Sequence, residues 1–165
     1  MIRQRLFLVC AVLSLCAFSP SGPGPVASAV GAGKVSGVWE LPLGPQNGYV
    51  DGDLYAPSTV PTSSASPAYH FTAVLKALPV PVTMMLAGTI QGTLDDGVGP
   101  GPDYLVSGSY AGLLSTVIGT GTFSAQIAQP AVSSPSGFIA GNFIDMPMSL
   151  SPVPGHFNGR WKISN

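Results

Sequence analysis

Tyr104-Leu105-Val106-Ser107-Gly108-Ser109-Tyr110-Ala111-Gly112-Leu113-Leu114 places large apolar residues and glycines at steps of two. A period of two sends alternate side chains to opposite faces of a strand, so Tyr104, Val106, Gly108, Tyr110, Gly112 and Leu114 share one face. The same reading holds for Val35-Gly37-Trp39-Leu41, for Leu86-Gly88-Ile90-Gly92-Leu94 and for Phe157-Gly159-Trp161-Ile163. Between these positions lie mostly Ser, Thr, Gln, Asn and Asp. The pattern specifies an all-β domain with one buried face.

Working outward, the periodicity predicts eight strands over 34–41, 47–55, 68–77, 83–95, 103–114, 117–127, 137–146 and 155–164. Stretches rich in Pro, Gly and Ser separate them, the longest being Ala56 to Pro67. The acidic turn Asp95 to Asp103 and the segments Gln129 to Ser136 and Met146 to Pro154 are the other long connections. No helix is expected, because apolar residues at three-to-four spacing are absent and Gly and Pro recur throughout. Consecutive strands of similar length joined by short loops imply antiparallel, sequential pairing in a meander.

Glycine weakens a strand unless the space it leaves is used. A tightly curled sheet needs points at which it can bend, and a ring on a neighbouring strand needs a vacancy to lie in. Both conditions hold in a small closed barrel, where Trp39, Tyr110, Phe123, Phe143 and Trp161 would lie over glycines opposite. An open twisted sheet or a two-sheet sandwich uses the same alternation and is the alternative. Pro79 and Pro81 argue for a sheet edge or an irregular start to the fourth strand, since both lack the N–H that a neighbour would use.

Residues 1–29 have the order of a secretory signal peptide. Arg3 and Arg5 precede an apolar run from Leu6 to Phe18, and Ala27-Ser28-Ala29 forms a small-X-small cleavage site. The run is too short to span a bilayer. A lipoprotein signal around Leu13-Ser14-Leu15-Cys16 is the competing reading, in which Leu15 is bulky where such sites favour a small residue. Cleavage after Ala29 leaves residues 30–165 as one domain in a secreted or periplasmic setting.

Both cysteines, Cys10 and Cys16, lie in that leader, so the remaining domain has no disulfide, no thiolate metal site and no thiol nucleophile. Its stability must come from an apolar core. Lys34, Lys76, Arg160 and Lys162 stand against Glu40, Asp51, Asp53, Asp95, Asp96, Asp103 and Asp145, a formal net charge of −3. No basic patch is evident along the sequence, which argues against nucleic acid as a partner.

Residues with catalytic chemistry are few. His70 and His156 both fall on the polar face, and neither has a carboxylate or second histidine at metal-ligand spacing nearby in sequence. No nucleophile elbow, phosphate loop or Glu-X-X-His pair occurs. Asp145 is the one acid in phase with a buried face, so no carboxylate pair of glycosidase type is formed. The loop Asp95-Asp96-Gly97-Val98-Gly99-Pro100-Gly101-Pro102-Asp103 offers ligands suited to calcium, but its Asp and Gly equally suit a solvated turn, which is the reading adopted. No catalytic residue, metal site or cofactor is assigned, and the binding residues are left open.

Ser36-Gly37-Val38-Trp39, with this length and strand count, resembles the Gly-X-Trp first strand of the calycins, the small antiparallel barrels that include avidins and lipocalins. The resemblance implies a barrel fold. In that group a basic residue near the last strand packs on the first-strand Trp. Arg160 is the candidate here, yet it is out of phase with Phe157, Gly159, Trp161 and Ile163 and should point outward. The loop Pro42 to Asn47 has no counterpart of the polar groups with which avidins grip biotin. Gly119-Thr120-Gly121-Thr122-Phe123 is similar to a strand of dirigent-type barrels over five residues.

Three function classes follow. The first is an exported, non-enzymatic barrel with a binding or structural role, meeting a small ligand or protein partner at its mouth or at the Ser/Pro loop. The second is a small outer-membrane barrel. Against it stand the repeated strand glycines and the final residues Lys162-Ile163-Ser164-Asn165, so no membrane association is expected once the leader is removed. The third is a barrel isomerase or cyclase, for which candidate acids and bases are lacking.

Overall fold

The computed structural model of the chain describes residues 31–41, 47–62, 64–78, 85–114, 119–132, 134–145 and 154–164. The proposed leader, the pair Pro79 and Pro81, most of the loop after β1 and the side chain of Asp145 lie outside the described residues. Eight strands follow one another: β1 (Gly31–Glu40), β2 (Gly48–Tyr55), β3 (Tyr69–Ala77), β4 (Met85–Asp95), β5 (Tyr104–Leu114), β6 (Gly119–Ala128), β7 (Pro135–Asp145) and β8 (Gly155–Ile163). Each pairs antiparallel with the next, and β8 returns to β1, so the meander is a closed barrel. The open sheet and the sandwich are thereby set aside.

Closure also explains where the sequence reading stops short. β1 begins at Gly31, three residues before the predicted start, because Gly31, Ala32 and Gly33 pair with Ile163, Lys162 and Trp161 of β8. Two glycines flanking an alanine carry no strand signal alone; the last strand of the chain supplies it.

The side-chain alternation holds around the whole barrel. Along β3, for example, Tyr69, Phe71, Ala73 and Leu75 are buried while His70, Thr72, Val74 and Lys76 are exposed. Inward aromatics meet glycines across the ladder, as register requires: Trp39 faces Gly155, Tyr110 faces Gly88, Phe123 faces Gly141, Phe143 faces Gly121, and Trp161 faces Gly33. These strand glycines do not have positive φ, so they are present for space. At Gly52, which pairs with Gly37, an added Cβ would sit 2.6 Å from the ring of Phe157. Real Cβ contacts are not that close, so the facing pair forms a slot for that ring.

Candidate functional site

The lumen is the natural place to look for a site in a small barrel. Here it is filled with rings. Trp39 stacks on Phe143 with centroids 4.9 Å apart and planes 6° apart, and it meets Tyr110 edge-on at 5.5 Å. Phe123 lies 5.6 Å from Trp39 and 5.5 Å from Phe157, which in turn contacts Phe71 at 6.3 Å. A second group, Tyr69 with Tyr104 at 5.7 Å and Trp161 at 5.8 Å, fills the end from which β1 starts. These spacings are those of packed aromatic pairs. At these separations the described rings touch one another, and no ligand fits between them.

Polar groups inside are few and mostly committed. Trp161 Nε1 donates to the Tyr55 carbonyl at 3.1 Å. Burial raises the Tyr69 hydroxyl well above its ordinary range, aided by Tyr104, with which it shares a hydrogen bond. Burial alone pushes Tyr110 up to about 12. Trp39 Nε1 is buried without a hydrogen-bond partner among the described residues.

Outside the barrel, His70 is not isolated. Its Nδ1 lies 2.9 Å from Asp53 Oδ1 and its Nε2 lies 3.5 Å from Asp51 Oδ1. Tyr55 OH donates to the other oxygen of Asp53 at 3.2 Å. Reading the sequence missed this cluster because Asp53 and His70 are 17 residues apart and meet only through the β2–β3 register. The signal was present in outline, since the alternation sends Asp51, Asp53 and His70 to the same face. A carboxylate that orients an imidazole is half of a base-activated nucleophile. Here the other ring nitrogen faces a second carboxylate rather than a hydroxyl, and both partners of each pair are substantially exposed. The cluster is a set of exposed histidine–carboxylate contacts of modest energy. His156 lies on the outer face of β8 and is exposed.

The acidic loop joins β4 to β5. Asp95, Asp96 and Asp103 each bring a ligand oxygen within 4.8 Å of the others. The carboxylates also organise the turn: Asp96 N–H donates to Asp103 Oδ2, Gly97 N–H to Asp95 Oδ1 and Val98 N–H to Asp96 Oδ1, each at 2.7 Å. Gly97, Gly99 and Gly101 have φ of 75°, 107° and 91°, a backbone that side chains resist. The three carboxylates and the three glycines thus each have a role in the shape of the turn.

Arg160 points outward and is exposed, so it does not pack on Trp39. The depressions bounded by described residues open on the outer face or the rim. In comparisons with known proteins, no family model, no curated protein and no solved structure matches the chain. The likeness to calycins therefore extends to the eight-stranded antiparallel barrel and no further.

Proposed function

We propose that this protein is an exported, non-enzymatic barrel that binds a ligand or partner through its outer face and rim. The observation that carries this reading is the lumen filled by Trp39, Phe143, Tyr110, Phe123 and Phe157. A barrel that holds its ligand inside must leave a cavity, and these rings occupy that space. The outward positions support a water-facing rather than lipid-facing surface. Along β5 and β6 they include Ser107, Ser109, Thr120, Thr122, Ser124 and Gln126, with the exposed Leu105 and Leu113 confined to the two ends of β5, where a barrel in an outer membrane presents a continuous apolar band. The non-enzymatic part rests on His70, whose two nitrogens face Asp53 and Asp51 and position no nucleophile.

Fractionation of cells expressing the full chain tests export and the membrane alternative together. The expected result is a protein beginning at Val30, found outside the cytoplasm and monodisperse without detergent. Recovery only from a detergent-solubilised membrane fraction, or uncleaved in the cytoplasm, overturns the reading. Turnover of any substrate that is lost in His70→Ala or His156→Ala overturns the non-enzymatic part.

A further inference from the structure

Three of the four basic residues in the barrel meet on one outer patch, although they are scattered in sequence. β8 lies between β1 and β7 and points Arg160 and Lys162 outward. Lys34 of β1 is the register partner of Arg160, while Phe138 of β7 is the partner of Lys162. Like charges directly opposite on a sheet are destabilising. Among the described residues neither lysine nor the arginine has an acidic partner within salt-bridge distance; the pairs formed belong to His70. By register the nearest acid is Asp53, diagonal to Lys34. Both of its oxygens are engaged, one by His70 Nδ1 and one by Tyr55 OH.

Between the cations is a depression of about 410 Å³ with an almost wholly apolar lining. Gly33 and Trp161, whose side-chain positions face the lumen, also border it. Pro57 and Phe138 form the walls, and Phe138 remains 40% exposed beside the cations. Unneutralised like charges around an exposed ring carry a stability cost. Such violations concentrate at functional positions.

We propose that this patch binds a small amphiphilic anion, a carboxylate or sulfonate carried on a planar apolar body. The Arg160 fork matches a carboxylate in two-point geometry, and Lys34 and Lys162 add charge from either side. The planar body lies against Phe138 and Pro57, where aromatic contact and the adjacent cations both favour a ring. The volume is in the range of small-molecule sites. This assignment deepens the outer-face reading above and rests on it.

The test is a titration of the purified protein with 2-naphthoate, followed by amide NMR shifts, beside the neutral analogue 2-naphthalenemethanol. Saturable shifts are expected around Lys34, Phe138, Arg160 and Lys162, with the neutral analogue weaker by about tenfold. Arg160→Gln with Lys162→Gln should weaken naphthoate by about tenfold or more, and Lys76→Gln on β3 should not. The double variant removes like-charge repulsion and should fold at least as well as the parent, which its melting temperature checks. Phe138→Ser should weaken binding while leaving the charge intact. Equal affinity for the neutral analogue, indifference to the double variant, or displacement of naphthoate by inorganic polyphosphate at equal charge overturns the assignment. So does the absence of shifts at millimolar naphthoate, which leaves the outer-face reading to its own test. Shifts centred on Trp39 and Phe143 would place the probe in the lumen, and the outer-face reading would fall as well.

Discussion

Phe143 on β7 and Gly121 on β6 are register partners, and a Cβ added to the glycine would sit 2.7 Å from Phe143 Cζ and 2.6 Å from the Cα of Gly112. The ring uses the space that the missing side chain leaves, and the neighbouring wall is backbone, which cannot swing aside. Gly121→Val should therefore destabilise by about 1–3 kcal/mol through overpacking, despite the better strand propensity of valine. Urea unfolding measures it. Combining Gly121→Val with Phe143→Ala should cost less than the sum of the two single changes, since the clash with the ring is gone while the closer ones with the Ala111 and Gly112 backbone remain. An unchanged or higher midpoint for Gly121→Val alone would show that this glycine has no packing role.

The slot at Gly121 was legible in the sequence because two-residue alternation fixes which face each residue takes, and Gly121 and Phe123 share that phase with Phe143. Strand count, order and the buried aromatic set were readable for the same reason. What was hidden depends on pairing between distant strands. The start of β1 at Gly31 becomes a strand only through β8, and the Asp53–His70 pair exists only in the β2–β3 register. The meeting of Lys34 with Arg160 is the clearest case. Those residues lie at opposite ends of the domain, and nothing short of barrel closure places them side by side. Any site built on outward residues is hidden from a linear reading in this way.

The two tryptophans should respond differently to the same change. Both are buried, at 0% and 3% exposure, so iodide should quench neither. Trp161 Nε1 donates to the Tyr55 carbonyl, whereas Trp39 Nε1 has no partner among the described residues. Trp161→Phe loses volume and leaves that carbonyl without its side-chain donor. Trp39→Phe loses similar volume but removes an unsatisfied donor whose burial costs about 1–3 kcal/mol. Trp39→Phe should thus be the less destabilising of the two in urea unfolding. A larger loss for Trp39→Phe would mean that its indole nitrogen is satisfied by water or by a residue outside those described.

Asp103 makes a prediction about acidity. Its carboxyl is held above the usual carboxylate range, first by burial, against the Asp96 N–H it accepts, and further by the charges of Asp96 and Asp95. A folded-state value above the unfolded one means that the contribution to stability is fully present below the unfolded value. It is lost as pH rises through the folded value. Asp103→Asn keeps an oxygen for the Asp96 N–H and removes the charge. At neutral pH the variant should melt at or above the parent temperature, and the difference should shrink or reverse on acidification through the carboxylate range. Melting curves from neutral to acid pH check this. A variant that is less stable at neutral pH and equal in acid would mean that the ionised carboxylate is favoured in the fold.

The connection between β2 and β3 spans residues 56–68 and makes its turn bonds within itself, from Thr59 N–H to the Ala56 carbonyl and from Ala65 N–H to the Thr62 carbonyl. The hairpin is closed below it, where Ala68 N–H donates to the Leu54 carbonyl at 2.6 Å and where Leu54 and Tyr69 are buried. Val60 projects outward at 68% exposure, so the tip of the loop adds little to the core. Replacing residues 59–66 by a short Gly-Ser link, with Pro57 kept as a wall of the basic depression, should leave the barrel folded. Shortening the loop lowers the closure entropy by about 0.6 kcal/mol per halving of its length, so the urea midpoint should stay level or rise slightly. Loss of the folded state would make the segment a part of the core. Retained folding with weakened naphthoate binding would mean that the loop shapes the depression beyond Pro57, and the wall assigned to Pro57 alone would have to be extended.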